Sequence, residues 1–558
     1  MTRSVQIVER MRWMSALAGA AVAAIALAIA LGATSGQIRL VPNSSGASTA
    51  PGSSAPLDPR IATLAAHRPS ATVQAIVQFN ATVTAAKAKS DAVGVRGRVI
   101  GNLPIIHGLA LSLTAAEARS LATNPDVHAV SLNTTVTTES LPFHMVPGQG
   151  LLTSELQTTY DETTGVTSLW RFGVTGTGVG VAVVDTGVDG ALPDFATKDH
   201  GSSRVVASAV ANADATTATD SYGHGTDVAG IIAGNGDNRA TGDPLHGHYI
   251  GVAPNANLIS IKVSDETGKA SVLDVIYGLQ FAVEHQSQFN IRVINLSLNS
   301  NTPQSYKTDP LDAAVEAAWM HGIVVVASAG NQGTASGAVQ YAPANDPYVI
   351  TVGGVDENGS SNPSGDTIAS WSSQGTTQDG LHKPDVYAPG AHIVSVLAPG
   401  SYFASSCATC VVGNGQYIQT SGTSMAAPVI SGLVADLLQI HPNWTPDQVK
   451  GALTSPTVTD NSSFQEPNAV KAALLWSPPL ADQGLTPSTL IDTTTGNINY
   501  NLSSWNLSSW NRAKGPLRAG FALSSWNCSD CTASGGEGAS PTLGSWNVAS
   551  WSTVEPLG

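Results

Sequence analysis

The sequence predicts an α/β protein built on a doubly wound, mostly parallel sheet. Between about residues 165 and 476, short apolar runs at 179–184, 205–209, 258–263, 293–298, 323–329 and 349–352 alternate with helical stretches at 272–284 and 310–320. Strands that are apolar throughout, rather than at every second position, are buried on both faces and need helices on either side. Composition agrees: only 12% of the 558 residues are charged, and Gly (55) and Pro (31) stand close to average use. That excludes a coiled coil, a collagen and a charge-rich disordered chain. The length leaves room for two or three compact units and a tail, so the whole is more than a minimal binding module.

The elements follow in order. Arg3, Arg10 and Arg12 against a single Glu9, the uncharged apolar run 13–31 and the small residues Gly32 to Gly36 form a secretory signal pattern over 1–36. The 19-residue run also suffices to cross a bilayer, so an uncleaved signal anchor is the alternative. Either way the remainder is exported, and no second segment approaches 18 consecutive apolar residues. Residues 37–69 read as a Ser/Ala/Pro/Gly linker. Residues 70–138 read as a small α+β unit: strands at 73–79, 105–113 and 127–132, and a helix opened by Thr114 with Glu117 three positions on, a capping box. Residues 139–164 read as a processing linker and 165–476 as the α/β domain. The tail, 477–558, repeats Ser-Trp-Asn around Trp505, Trp510, Trp526 and Trp546 with a remnant at Trp551. Its uneven spacing argues against a solenoid. Two readings stay open, a low-complexity spacer or a cell-surface polymer binder using stacked Trp.

Four segments carry chemistry. Asp185-Thr186-Gly187 follows a strand, where crevices form in open α/β sheets. His224 sits among small residues in Gly223-His224-Gly225-Thr226-Asp227. Ser424 lies in Ser421-Gly422-Thr423-Ser424-Met425-Ala426-Ala427-Pro428 at the start of an apolar helix, and Asn331 ends Ala327-Ser328-Ala329-Gly330-Asn331 just beyond a strand. A serine hydroxyl needs a base beside it, imidazole has a suitable pKa, and a buried carboxylate fixes the imidazole tautomer. Asn331 and the Ser424 N–H suit a developing oxyanion. Taken singly, each residue reads as a cap, a turn or a satisfied histidine. Their joint occurrence at element ends, in this order, does not.

These segments resemble the subtilisin-like serine proteases, whose order is Asp, His, Ser. The resemblance covers about 165–476 and implies an endopeptidase with Asp185, His224 and Ser424 as triad and Asn331 in the oxyanion site. It further implies that Ser297, Leu298, Ala329 and Gly330 wall the primary specificity pocket, and that Gly268-Lys269-Ala270-Ser271 lies where an edge strand pairs with extended substrate. Residues 70–138 look like the family's inhibitory propeptide, a small ferredoxin-like unit. The partners implied are polypeptide substrates and the chain's own propeptide, and no cofactor is required for chemistry. The chain departs from the family at three places. Asp227 stands where a second His is usual, and Asn299 replaces a Gly, with a side chain expected to narrow the pocket. The loop Asn235-Gly236-Asp237-Asn238-Arg239 does not align cleanly with the family's calcium loop: its oxygens could hold a structural Ca²⁺, a solvated loop is the favoured alternative, and no metal is assigned.

Cys407/Cys410 and Cys528/Cys531 allow three disulfide connectivities in an exported chain, two local rings being favoured. Residues 1–138 carry 11 basic and 5 acidic side chains, and 139–558 carry 14 and 35. The net charge of −15 excludes nucleic acid in the absence of a basic stripe. The asymmetry predicts that leader and body dock through complementary charge. The rival reading from another class is a non-catalytic surface protein that adheres through its Trp-rich tail.

Overall fold

The computed structural model describes residues 55–80, 82–138, 159–199, 201–485 and 488, with the backbone of 491–492, 497–498 and 551–552. The signal pattern, residues 139–158 of the processing linker and most of the tail, including Cys528/Cys531, lie outside the described residues.

The first unit opens with helix α1 (Pro59–His67), in the stretch that composition marks as linker. The local chemistry explains the difference. Asp58 caps the helix, accepting from Arg60 N at 2.9 Å, Pro59 sits at its first position, and Ile61 is buried. Strands β1 (Thr72–Phe79), β2 (Arg98–Leu103), β3 (Gly108–Thr114) and β4 (Val127–Leu132) form an antiparallel sheet in the order β2-β3-β1-β4. It carries helices α2 (Ala85–Gly94) and α3 (Ala115–Leu121). The capping box is formed: Thr114 Oγ1 accepts from Glu117 N, and Glu117 Oε2 accepts from Thr114 N at 2.8 Å.

The second sheet is parallel at its centre. Strands β6 (Gly180–Asp185), β7 (Val205–Val210), β8 (Asn257–Lys262), β10 (Ile291–Leu296), β12 (Val324–Ser328) and β13 (Ile350–Asp356) lie in the order β13-β12-β10-β6-β8-β7. All six residues of β6 are buried, as its continuous Val/Ala run requires. The chain goes from β6 to the outer strand β7, returns to β8 between them, then crosses to β10 on the other side of β6. That reversal opens a crevice at the carboxyl ends of β6 and β10, where Asp185 and Ser297 sit. Helix α4 (His224–Ala233) packs with α7 (Thr423–Ile440), and α5 (Val272–Glu284) packs with α6 (Pro310–Met320). Although α7 is 18 residues long and apolar enough to cross a membrane, 89% of it is buried in the protein, and it is a core helix.

A third, small sheet joins the two units. Strand β5 (Thr135–Thr138), the end of the first unit, lies between β9 (Ala270–Ser271) and β11 (Leu298–Ser300), antiparallel to both. At the far end the packing runs past residue 476: buried Ser488 donates to the Glu316 carboxylate from its backbone N, at 2.9 Å, and from its hydroxyl.

Candidate active site

Asp185 ends β6 and His224 opens α4, and the two meet because the turns that carry them are almost free of side chains. A Cβ on Gly225 would lie 2.1 Å from the Gly187 carbonyl oxygen, so the approach is possible only with glycine there. Asp185 Oδ1 lies 2.7 Å from His224 Nδ1, with both residues fully buried. Burial opposes charging of the imidazole. The Asp185 charge and hydrogen bond, with Asp227 and Asp220 further out, outweigh it and hold the His224 pKa above its usual value.

Asp220, which sequence reasoning did not single out, locks this pair. Its Oδ1 accepts from Thr186 Oγ1 at 2.8 Å and Gly223 N at 2.7 Å; its Oδ2 accepts from Thr226 N at 2.8 Å and Thr226 Oγ1 at 2.7 Å. One carboxylate thus ties the Asp185 turn to the first turn of the His224 helix. Its place four residues before His224 in Asp220-Ser221-Tyr222-Gly223-His224 was the only signal for it. Asp227, three residues beyond His224, is fully buried and accepts from Thr420 Oγ1 at 3.0 Å through Oδ2. Burial pushes its pKa up to about 7. Phe403 closes over His224, with ring centroids 5.9 Å apart and the rings edge to face.

Ser424 is the second residue of α7 and is fully buried. Its hydroxyl donates to the Ser297 carbonyl at 3.4 Å, while Ser297 Oγ donates back to the Ser424 carbonyl at 2.9 Å. His224 Nε2 has no hydrogen-bond partner among the described residues. Asn331 Oδ1 accepts from Thr423 N at 2.9 Å and Thr423 Oγ1 at 3.1 Å, and Thr423 Oγ1 in turn accepts from Gly330 N at 3.1 Å. The amide oxygen is therefore held on the start of the Ser424 helix, which makes Nδ2 the donor end of Asn331. Gly330 takes φ of +101°, the left-handed conformation that turns the chain out of β12 toward that helix.

Leu298 and Ala329 are buried on the two segments that flank Ser424, and Leu298 pairs with Thr138 of β5. Gly268 lies outside the edge strand itself. It occupies the turn before β9, donating from N to Asp265 O at 3.1 Å, and the pairing falls on Ala270 and Ser271. Turn chemistry explains this: Asp265 Oδ1 accepts from Thr267 N at 2.9 Å and Lys269 N at 3.0 Å, and Gly268 has φ of +79°. In the loop 235–239, Asn238 N donates to Asp194 Oδ1 at 3.3 Å and Arg239 pairs with Asp243. Among the described residues no group of three or more His, Cys, Asp or Glu is arranged to hold a metal ion. Cys407 and Cys410 are joined by a disulfide.

Residues 176–473 match the subtilase family of peptidases, and the chain belongs to that family. It is 38% identical over 300 residues to serine protease AprX of Bacillus subtilis (strain 168), covering 53% of this chain and 64% of AprX. It is 36% identical over 294 residues to subtilisin of Bacillus pumilus, covering 52% of this chain and 88% of that protein. Among solved structures, fervidolysin from Fervidobacterium pennivorans, described as a keratinolytic enzyme related to subtilisin, matches with a TM-score of 0.56 at 24% identity. That match covers 76% of this chain and 64% of fervidolysin, and it supports the fold.

Proposed function

We propose that this chain is an exported serine endopeptidase made as a precursor that cuts itself. The observation that carries the reading is the buried Asp185–His224 pair, 2.7 Å apart, with His224 opening a helix packed against the one that carries Ser424 in its first turn. With substrate in place, Ser424 Oγ leaves the Ser297 carbonyl, gives its proton to His224 Nε2 and bonds to the scissile carbonyl carbon. Asp185 holds the tautomer and stabilises the imidazolium. The oxyanion takes hydrogen bonds from Asn331 Nδ2 and Ser424 N, one such donor contributing about 2.7–4 kcal/mol. The imidazolium then protonates the leaving amine, and water enters by the same route to release the acyl group. None of these steps calls on a metal.

The first unit reads as an inhibitory propeptide because its last strand occupies the lane between β9 and β11 that an extended substrate would take. Cleavage is assigned between about Thr138 and Val166. The signal pattern and the local disulfide support export.

A fluorophosphonate probe tests the reading: it should label Ser424 in the wild-type protein and not in Ser424→Ala, which should accumulate as full-length precursor. Normal processing of Ser424→Ala without added protease, or no labelling of wild type, would leave the adhesion reading standing instead.

A further inference from the structure

We infer that Asn299 restricts this enzyme to small side chains at the residue immediately before the cleaved bond. The inference deepens the endopeptidase reading and rests on it. The chain's own β5 shows how a peptide approaches. Val136, Thr137 and Thr138 pair with Ser300, Asn299 and Leu298 in turn, so the strand runs toward Ser297, which exchanges two hydrogen bonds with Ser424. Alternate side chains behave differently: Val136 and Thr138 are buried, Thr135 and Thr137 exposed.

A residue whose carbonyl lies at Ser424 and Asn331 must lodge its side chain between the segments that flank those groups. On one side are Ser297 to Asn299. On the other are Ser328 to Gly330, tied to the Ser424 helix through Gly330 N and Thr423 Oγ1. Asn299 spans the space between them. Its Nδ2 donates to the Ser328 carbonyl at 3.1 Å, and the same atom lies 3.7 Å from where a Cβ on Gly330 would sit. Asn299 is 3% exposed, so this amide is packed in place. The far wall has little room to retreat, because fully buried Ser373 stands behind it. Ser373 Oγ is 3.0 Å from that Gly330 position and accepts from Gln332 N at 2.9 Å, and Ser373 N donates to Gly330 O at 2.9 Å.

An aromatic or long side chain entering here displaces the Asn299 amide and strips a buried carbonyl of its donor. Glycine, alanine or serine does neither. Discrimination by one excess methylene already spans about 10–200-fold, and a ring is larger.

The test compares succinyl-Ala-Ala-Pro-Ala and succinyl-Ala-Ala-Pro-Phe p-nitroanilides on the mature enzyme and on Asn299→Gly. Wild type should favour the Ala peptide in kcat/KM by about tenfold or more, and Asn299→Gly should lower that ratio by about tenfold or more. Wild type that cleaves the Phe peptide as well as the Ala peptide, or a variant whose ratio stays within about twofold, overturns the inference. If Asn299→Gly does not fold, the bonds that wild type cuts in denatured casein, read by mass spectrometry, decide: cuts after small residues support it and cuts after aromatic residues refute it. Failure to cleave either peptide or casein, with no probe labelling of Ser424, refutes the endopeptidase reading itself. Normal labelling with a preference for Phe refutes only the role of Asn299.

Discussion

Arg204 is where a single change should reach the active site from a distance. Its guanidinium, 5% exposed, donates Nε to Ala196 O at 3.2 Å, Nη1 to Ala256 O at 3.1 Å, and Nη2 to Asp194 O at 2.8 Å and Ala233 O at 2.6 Å. One side chain thus ties the start of β8 and the loop after β6 to the last turn of the helix that begins at His224. Burial pushes its pKa down to about 10, against the charges of Asp194 and Asp237, which leaves it cationic at neutral pH. Arg204→Met keeps most of the stem and removes the fork. Asn235 still serves two of the four carbonyls, through N to Asp194 O at 3.0 Å and Nδ2 to Ala196 O at 3.1 Å. The loss is therefore reckoned on Ala233 and Ala256, at about 1–3 kcal/mol for each orphaned group. A charge no longer held out of water returns part of this, so the expected net destabilisation is about 2–4 kcal/mol. Urea unfolding of the variant in a Ser424→Ala background, where self-digestion is absent, measures it. A loss below about 1 kcal/mol would show that the fork is not what holds the carbonyl end of the His224 helix.

Two further predictions concern pH. A protonated His224 cannot accept the Ser424 proton, so kcat/KM should rise with pH, with its half-point above 6.5 because the His224 pKa is raised. Asp227→Asn, which removes one of the charges that raise it, should move that limb to lower pH; an unmoved limb would mean Asp227 is electrostatically silent. Burial pushes Asp274, Asp346 and Glu357 up to about 7. The unfolded chain releases these protons near pH 4 while the folded chain keeps them, so this contribution to stability falls as pH rises from about 4 to about 7. Glu357→Gln should flatten that slope in unfolding midpoints measured on Ser424→Ala protein, and an unchanged slope would refute the assignment.

How far the sequence reveals the site depends on the kind of contact. The helices at 272–284 and 310–320 match the structure at both ends, and their starts are marked locally, by Ser271 with Asp274 and by Asp309 with Pro310. Asp185, His224, Ser424 and Asn331 are legible because each sits where an element ends, in a short run of small residues. Asp220 is not, and of Asn299 the sequence shows the departure from Gly but not the bridge its side chain makes. The Asp220 clamp depends on a turn 34 residues away, at Thr186, and the Asn299 bridge on a carbonyl 29 residues away, at Ser328. Neither spacing leaves a period in the sequence. Helix α1 was hidden for the opposite reason: its alanines resemble the linker composition around it, and only Asp58-Pro59 marks its start.

The charge asymmetry predicted docking by complementary charge, and the contacts divide that expectation in two. Between the first unit and the α/β domain the hydrogen bonds are mostly neutral. Arg60 Nη1 donates to Thr302 Oγ1 at 2.8 Å, Gln78 Nε2 to Thr308 O at 3.2 Å and Gln304 Nε2 to Ser131 Oγ at 3.0 Å, beside the main-chain pairing of β5. Among the described residues the ion pairs of the first unit close within it: Arg60 with Asp58, and Lys87 with Asp91 and Asp126. Short-range affinity therefore comes from main chain, neutral donors and one guanidinium on a neutral hydroxyl rather than from ion pairs, while the net charges act across the gap before contact, where a Debye length of about 10 Å at 0.1 M salt matters. Raising salt from about 0.05 to about 0.5 M should slow association of the separated first unit with the mature enzyme and leave its dissociation rate within about threefold. A dissociation rate that climbs steeply with salt would mean that charge holds the complex as well as gathering it.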